Sequence, residues 1–158
     1  MFKFPQIAIA TATGFIVASG SAIADERYNP VKDQTTLKEC GACHMAFQPQ
    51  MLPAKSWEKI MDGLSDHFGE DASLDKETVA HLKKYHVENA ANSKWWGGKF
   101  MRGLSDSSAP LRITETPYWV REHNEEVPKW AWNDPKVKSK ANCLACHPRA
   151  VKGDYDDD

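Results

Sequence analysis

Apolar residues recur at helical spacing in several parts of the chain, and no stretch of any length alternates apolar with polar in the manner of a strand. Trp57, Ile60, Met61, Leu64 and Phe68 form one stripe. It belongs to a helix predicted to open at Pro53, run to about His67 and stop at Gly69. Val79, Leu82, His86 and Ala90 share a face of the next helix, which Asp75 caps and which runs to about Ala91. Thr116-Pro117 opens another, to about Glu126, with Trp119, Val120 and His123 on its apolar side. Two further helices are predicted, one from near Thr35 and one from Asp134-Pro135. Residues 92–113 hold Gly97, Gly98, Gly103 and Pro110 and read as a loop or hinge. The predicted fold class is mainly α, as two small helical lobes, 25–92 and 93–158, of one compact domain.

One apolar stretch has a different meaning. Lys3 precedes a run from Ile7 to Ala18, and Ala22-Ile23-Ala24 supplies the small-x-small pattern of a signal-peptidase site. Residues 1–24 are therefore expected to be a secretory signal cleaved after Ala24. As an uncut anchor the run is short for a ~20-residue span, and it holds Thr11, Thr13 and Gly14. No other segment is apolar enough to cross a membrane. The whole chain carries 20 basic and 22 acidic side chains, a net charge of −2. That balance argues against a nucleic-acid partner.

Four cysteines in an exported chain suggest two disulfides at first. Their arrangement argues otherwise. They form Cys40-Gly41-Ala42-Cys43-His44 and Cys143-Leu144-Ala145-Cys146-His147, two C-x-x-C pairs each followed at once by histidine. C-x-x-C-H is the pattern of covalent c-type haem attachment, and zinc is the other chemistry these residue types serve. Two thiols three residues apart on a helix lie on one face, where each can form a thioether to a haem vinyl group. The following His44 or His147 then offers a nitrogen to iron. Cofactor attachment is thus assigned to Cys40, Cys43, Cys143 and Cys146, for two covalently bound c-type haems.

The second axial ligand of each iron must face the core and be neutral. Four histidines remain. His67 lies at the edge of the stripe of Trp57, Ile60 and Leu64, and His123 sits one turn after Trp119. His86 is a rival, between Leu82 and Ala90; His81 points the other way, toward Lys84 and Glu88, and reads as solvated. Methionine is the alternative ligand, and it would raise the potential. Met45 is too close to His44 to reach the opposite side of a haem, which leaves Met51, Met61 and Met101. Trp95, Trp96, Trp119, Trp130 and Trp132 are expected to pack haem faces. The acidic end, Asp154 to Asp158, reads as a solvated tail.

These motifs resemble the small dihaem cytochromes c of the proteobacterial periplasm. The resemblance is carried by Glu39 to His44 followed by Leu52-Pro53-Ala54-Lys55-Ser56-Trp57. It continues through His67 to Asp75, Pro110 to Thr114, Thr116 to Trp119 with His123, and Asn142 to His147. It implies bis-histidine haems, with His44 and His67 on the first iron and His147 and His123 on the second, and it lowers the standing of His86. It also implies an electron-transfer protein that takes electrons from a membrane donor, such as a b-type cytochrome, and passes them to a soluble haem protein. The competing functions are a dihaem peroxidase and a gas sensor, both of which need an open iron position.

Overall fold

The computed structural model describes residues 27–95 and 97–156. The expected signal segment and its cleavage site lie outside them. Among the described residues four α-helices form: α1 (Gln34–Glu39), α2 (Ala54–Asp62), α3 (Lys76–Glu88) and α4 (Pro117–Glu126). They are joined by short 3₁₀ turns. Among the described residues there is no strand, only two isolated bridges, Arg27 with Asp154 and His67 with Glu70. The expected mainly α class holds. No helix of the described residues is long and apolar enough to cross a membrane.

The helix starts follow local chemistry. Asp75 Oδ1 accepts from the Thr78 N–H at 2.9 Å to cap α3, and Asp33 Oδ1 accepts from the Thr36 N–H at 2.7 Å to cap α1. Thr116 caps α4 ahead of Pro117, whose fixed φ suits the first turn. The helix ends differ from the pattern. α2 stops at Asp62, where the Gly63 N–H turns back to the Ile60 carbonyl at 3.1 Å. Leu64–Asp66 is a separate 3₁₀ turn, and His67 lies beyond it rather than on the helix. Phe68, expected on the buried stripe, is 45% exposed.

The helix expected from Asp134-Pro135 does not form. Asp134 Oδ1 accepts from the Lys136 N–H at 2.8 Å, and Asn142 Nδ2 donates to the Lys136 and Val137 carbonyls. Side chains thus take the backbone partners a helix would need. Lys138 adopts φ 59°, which ends any helical path.

α2 packs on α3 through Trp57, Met61 and Leu82, all buried; each such side chain contributes about 1.5–3 kcal/mol of burial free energy. The same core includes Phe100, Tyr118, Trp119, Ala150 and Tyr155, so residues on both sides of position 92 share it. The expected hinge is docked here. The Ala91 N–H donates to the Leu52 carbonyl, the Gly98 N–H donates to the Ala91 carbonyl, and Phe100 packs against Tyr28 and Tyr118.

The chain ends close the fold. The Tyr28 N–H donates to the Gly153 carbonyl at 2.7 Å. Gly153 has φ +77°, and a Cβ there would meet the Tyr28 carbonyl oxygen at 2.0 Å, so only glycine fits. The expected solvated tail is corrected at Tyr155, which is 7% exposed and donates its hydroxyl to Gln48 Oε1 at 2.6 Å. Gln48, fully buried, donates in turn to the Ala150 carbonyl at 2.7 Å. Tyr155→Phe would leave the Gln48 oxygen unsatisfied. The expected cost is about 1–3 kcal/mol, read as a lower denaturant midpoint with unchanged slope.

His86 is core. Its ring lies 4.5 Å from that of Trp57, and its Nδ1 is 2.8 Å from the Leu82 carbonyl. Burial lowers its pKa, against the hydrogen bond to Leu82 and Asp33, which raise it. Because the folded pKa is depressed, the unfolded chain binds the proton more readily. Stability is therefore full above the ordinary histidine pKa of about 6.5 and falls as pH drops below it. Melting temperature followed from pH 8 to 5 should show this loss, and His86→Phe should flatten it. His81, expected to be solvated, is half exposed and holds Asp33 Oδ2 at 2.8 Å.

Candidate haem sites

Both C-x-x-C-H motifs fold as 3₁₀ turns, Cys40–Ala42 and Cys143–Ala145, where an α-helix was expected. Residues i and i+3 nearly eclipse in that geometry, so each turn brings its two thiols to one edge. The four cysteines are free thiols, and no disulfide joins them. Cys40 and Cys143 are the inner members. Burial pushes each thiol up to about 11, with Glu39 and then Asp33 adding to the effect at Cys40. Among the described residues, no three or more His, Cys, Asp or Glu converge as a zinc site requires.

The histidines of the motifs each meet a second histidine. The His44 and His67 rings are 6.2 Å apart between centres and 23° from parallel. The His123 and His147 rings are 6.3 Å apart and 80° from parallel. A ring nitrogen about 2.0–2.1 Å from a metal puts the ring centre roughly 3.1–3.2 Å away, so two rings across one iron stand about 6.2–6.4 Å apart. Both separations fit that requirement. His86 has no such partner, since its ring neighbours are Trp57 and Tyr85.

Each pair is oriented from outside. His44 Nδ1 is 2.7 Å from the Met45 carbonyl, and His123 Nδ1 is 2.9 Å from the Trp119 carbonyl one turn back along α4. A Nδ1–H donated to a carbonyl leaves Nε2 as the free lone pair and raises its basicity toward a metal. His67 is held by a tight turn. Its N–H donates to the Glu70 carbonyl at 2.7 Å, while Phe68 and Gly69 take φ of 59° and 99°. Burial, then His44 and Arg112, lower the His67 pKa and keep its ring neutral as a ligand must be. The Arg112 guanidinium sits 3.9 Å from the centre of the exposed Phe68 ring.

The second site is a cavity of about 800 Å³, part of it open to solvent, lined by Cys143, Cys146, His147 and His123 with Trp119 and Tyr155. A second hollow of about 530 Å³, more open to solvent, lies beside His67, between Ile60, Phe68 and Leu111. Of the tryptophans expected against haem faces, Trp119 and Trp132 are beside His123; Trp95 and Trp130 are 93% and 72% exposed, and Trp96 lies outside the described residues. Met51 and Met61 are buried in the core, and Met101 packs against it. The role of Tyr155 and Gln48 beside these sites carried no signal in the sequence, because their partners are more than a hundred residues away.

Two motif turns, two facing histidine pairs and an apolar cavity define a protein that binds two haems covalently. The profile of the dihaem cytochrome c family matches residues 36–155, and the chain belongs to that family. A dihaem cytochrome c from Rhodobacter sphaeroides is 43% identical, with 80% of this chain and 99% of that chain covered at a TM-score of 0.76. A second structure of the R. sphaeroides protein is 40% identical, covering 79% and 98% with a TM-score of 0.66. The dihaem cytochrome of Shewanella baltica is 35% identical, covering 76% and 84% with a TM-score of 0.61. A search of curated proteins finds no match. The cofactors are two c-type haems, and the protein is an electron-transfer cytochrome. Bound in these sites, haem supplies a one-electron ferric–ferrous couple.

Proposed function

We propose that this cytochrome is a periplasmic electron carrier with two bis-histidine haems. Cys40 and Cys43 attach the first haem, whose iron takes His44 and His67. Cys143 and Cys146 attach the second, whose iron takes His147 and His123. The observation that carries this reading is the pair of ring separations, 6.2 and 6.3 Å. With both axial positions filled, neither iron offers a place for substrate, which favours a carrier over a peroxidase or a gas sensor. The absence of a methionine ligand keeps both potentials low.

Export follows from the segment 1–24, cleaved after Ala24, and from the chemistry of c-type attachment outside the cytoplasm. The lobes are 25–92 and 93–158 of one domain. The partners are redox proteins, with a membrane b-type cytochrome as donor and a soluble haem protein as acceptor. Closeness of the two sites supports an internal relay. The Tyr155 ring is 5.4 Å from that of His147, and its hydroxyl bonds Gln48, four residues after His44.

An electron on one haem then disfavours an electron on the other. A spectroelectrochemical titration of the mature protein should resolve two one-electron steps, both below the range of methionine-ligated cytochromes c. One step at a methionine-like potential would refute the ligand assignment.

A further inference from the structure

The two histidine pairs differ in one respect that membership of the family does not address. The first pair is near parallel, at 23°, and the second is crossed, at 80°. Trp119 makes two contacts to the His123 ring of the crossed pair. Its carbonyl accepts from His123 Nδ1 at 2.9 Å, and its indole stacks on the same imidazole at 3.9 Å and 16°. The hydrogen bond fixes where the ring sits, and the stack fixes its plane. Trp119 is itself buried, with Trp132 against it and the Lys140 ammonium 5.8 Å from one indole and 5.6 Å from the other.

We propose that Trp119 is a positioning residue that makes the two haems electronically unequal, giving the second the higher reduction potential and therefore the first electron. The inference rests on the bis-histidine reading above. Each imidazole has a filled π orbital perpendicular to its plane, which overlaps one of the two iron dπ orbitals. Parallel rings act on the same dπ orbital and raise it above its partner. The single vacancy of ferric iron then occupies that raised orbital, which stabilises the ferric state. Crossed rings act on one orbital each, the pair stays nearly degenerate, and that stabilisation is lost. Ferric iron between His123 and His147 is thus the easier to reduce.

Charge acts in the same direction. Lys129, Lys136, Lys138, Lys140 and Lys152 flank the second motif, exposed and without a carboxylate partner among the described residues. Asp66, Glu70, Asp71, Asp75 and Glu77 flank or follow His67, exposed and without a cationic partner among the described residues. Positive charge favours the added electron, and negative charge opposes it. Arg112, Lys59 and Lys76 near His67, and Glu122, Glu125 and Asp134 near the second site, act the other way. Glu122 is paired with Arg121, and the lysines and carboxylates outnumber these.

The test is low-temperature electron paramagnetic resonance of the holoprotein during stepwise reduction. Near-parallel imidazoles give a rhombic low-spin signal, and crossed ones give a strongly anisotropic signal with a large maximum g. The half-reduced sample has one ferric iron left, free of coupling to the other, and its signal should be rhombic. If the remaining signal is the large-g one, or if the oxidised protein gives two rhombic signals, the proposal is overturned. Trp119→Phe should keep the large-g signal, because a stacked ring remains. Trp119→Leu should convert it to rhombic and lower the second potential. A Trp119→Leu protein that folds with the large-g signal intact overturns the role given to Trp119, and the wild-type titration decides the order of reduction if that variant does not fold. Failure of the bis-histidine reading looks different: a high-spin ferric signal at either iron.

Discussion

Replacing His123 or His67 with alanine should turn one haem from low-spin to high-spin or water-ligated and leave the other unchanged. Half of the low-spin ferric absorption is lost in each variant. The reason is geometric, because each histidine faces a single partner, His147 at 6.3 Å or His44 at 6.2 Å, and no other described imidazole is in a position to replace it. The opened iron should bind carbon monoxide when reduced, which the wild type should not. His86→Ala is the informative control. It removes a ring packed on Trp57 and should cost about 2–5 kcal/mol of stability while both haems stay low-spin. His81→Ala should change neither spectrum, since its partner is the Asp33 carboxylate. A high-spin haem in His86→Ala, with none in His67→Ala, would reverse the assignment of the first iron.

Replacing both cysteines of one motif removes one haem, and the effect on folding should differ between the two motifs. The cavity beside Cys143 and Cys146 is lined by core residues, among them Phe100, Tyr118, Trp119 and Tyr155. Without a haem there, large apolar side chains face an unfilled space, and the loss should be several kcal/mol of the roughly 5–15 kcal/mol that holds a domain folded. The hollow beside His67 is more open to solvent and is bordered by the exposed Phe68 and Leu111. The variant Cys40→Ala with Cys43→Ala should therefore fold and carry one haem by mass, while Cys143→Ala with Cys146→Ala should accumulate to a clearly lower level. Equal yields of two one-haem proteins would contradict this ranking.

Much of this was legible in the sequence because it is local. The C-x-x-C-H spacing, the Asp75 and Thr116 caps and the buried face of α3 with Leu82 and His86 each depend on residues a few positions apart, although the helix ends at Glu88, short of the expected Ala91. What the pattern misread was where helices stop. An apolar stripe continues through Leu64 toward Phe68 although the backbone leaves the helix at Gly63, because periodicity records faces and not hydrogen bonds. The segment before Cys143 carries a helix-start signal at Asp134-Pro135, yet the side chain of Asn142 claims its carbonyls. Tyr155 looked like part of an acidic tail. Its burial depends on Gln48 and Tyr28, far away in the chain, and no local pattern announces it. The histidine pairs were legible only in part: apolar faces and the family resemblance nominated His67 and His123, while the ring separations and plane angles required the fold.

The ferric absorption spectrum of the purified mature protein tests the central claim most directly. Two bis-histidine haems predict a wholly low-spin spectrum, with no high-spin charge-transfer band and no far-red sulfur-to-iron band, and a fully low-spin reduced form that does not take up carbon monoxide. A high-spin component would mean an open iron, and a sulfur-to-iron band would mean a methionine ligand; either would contradict the account.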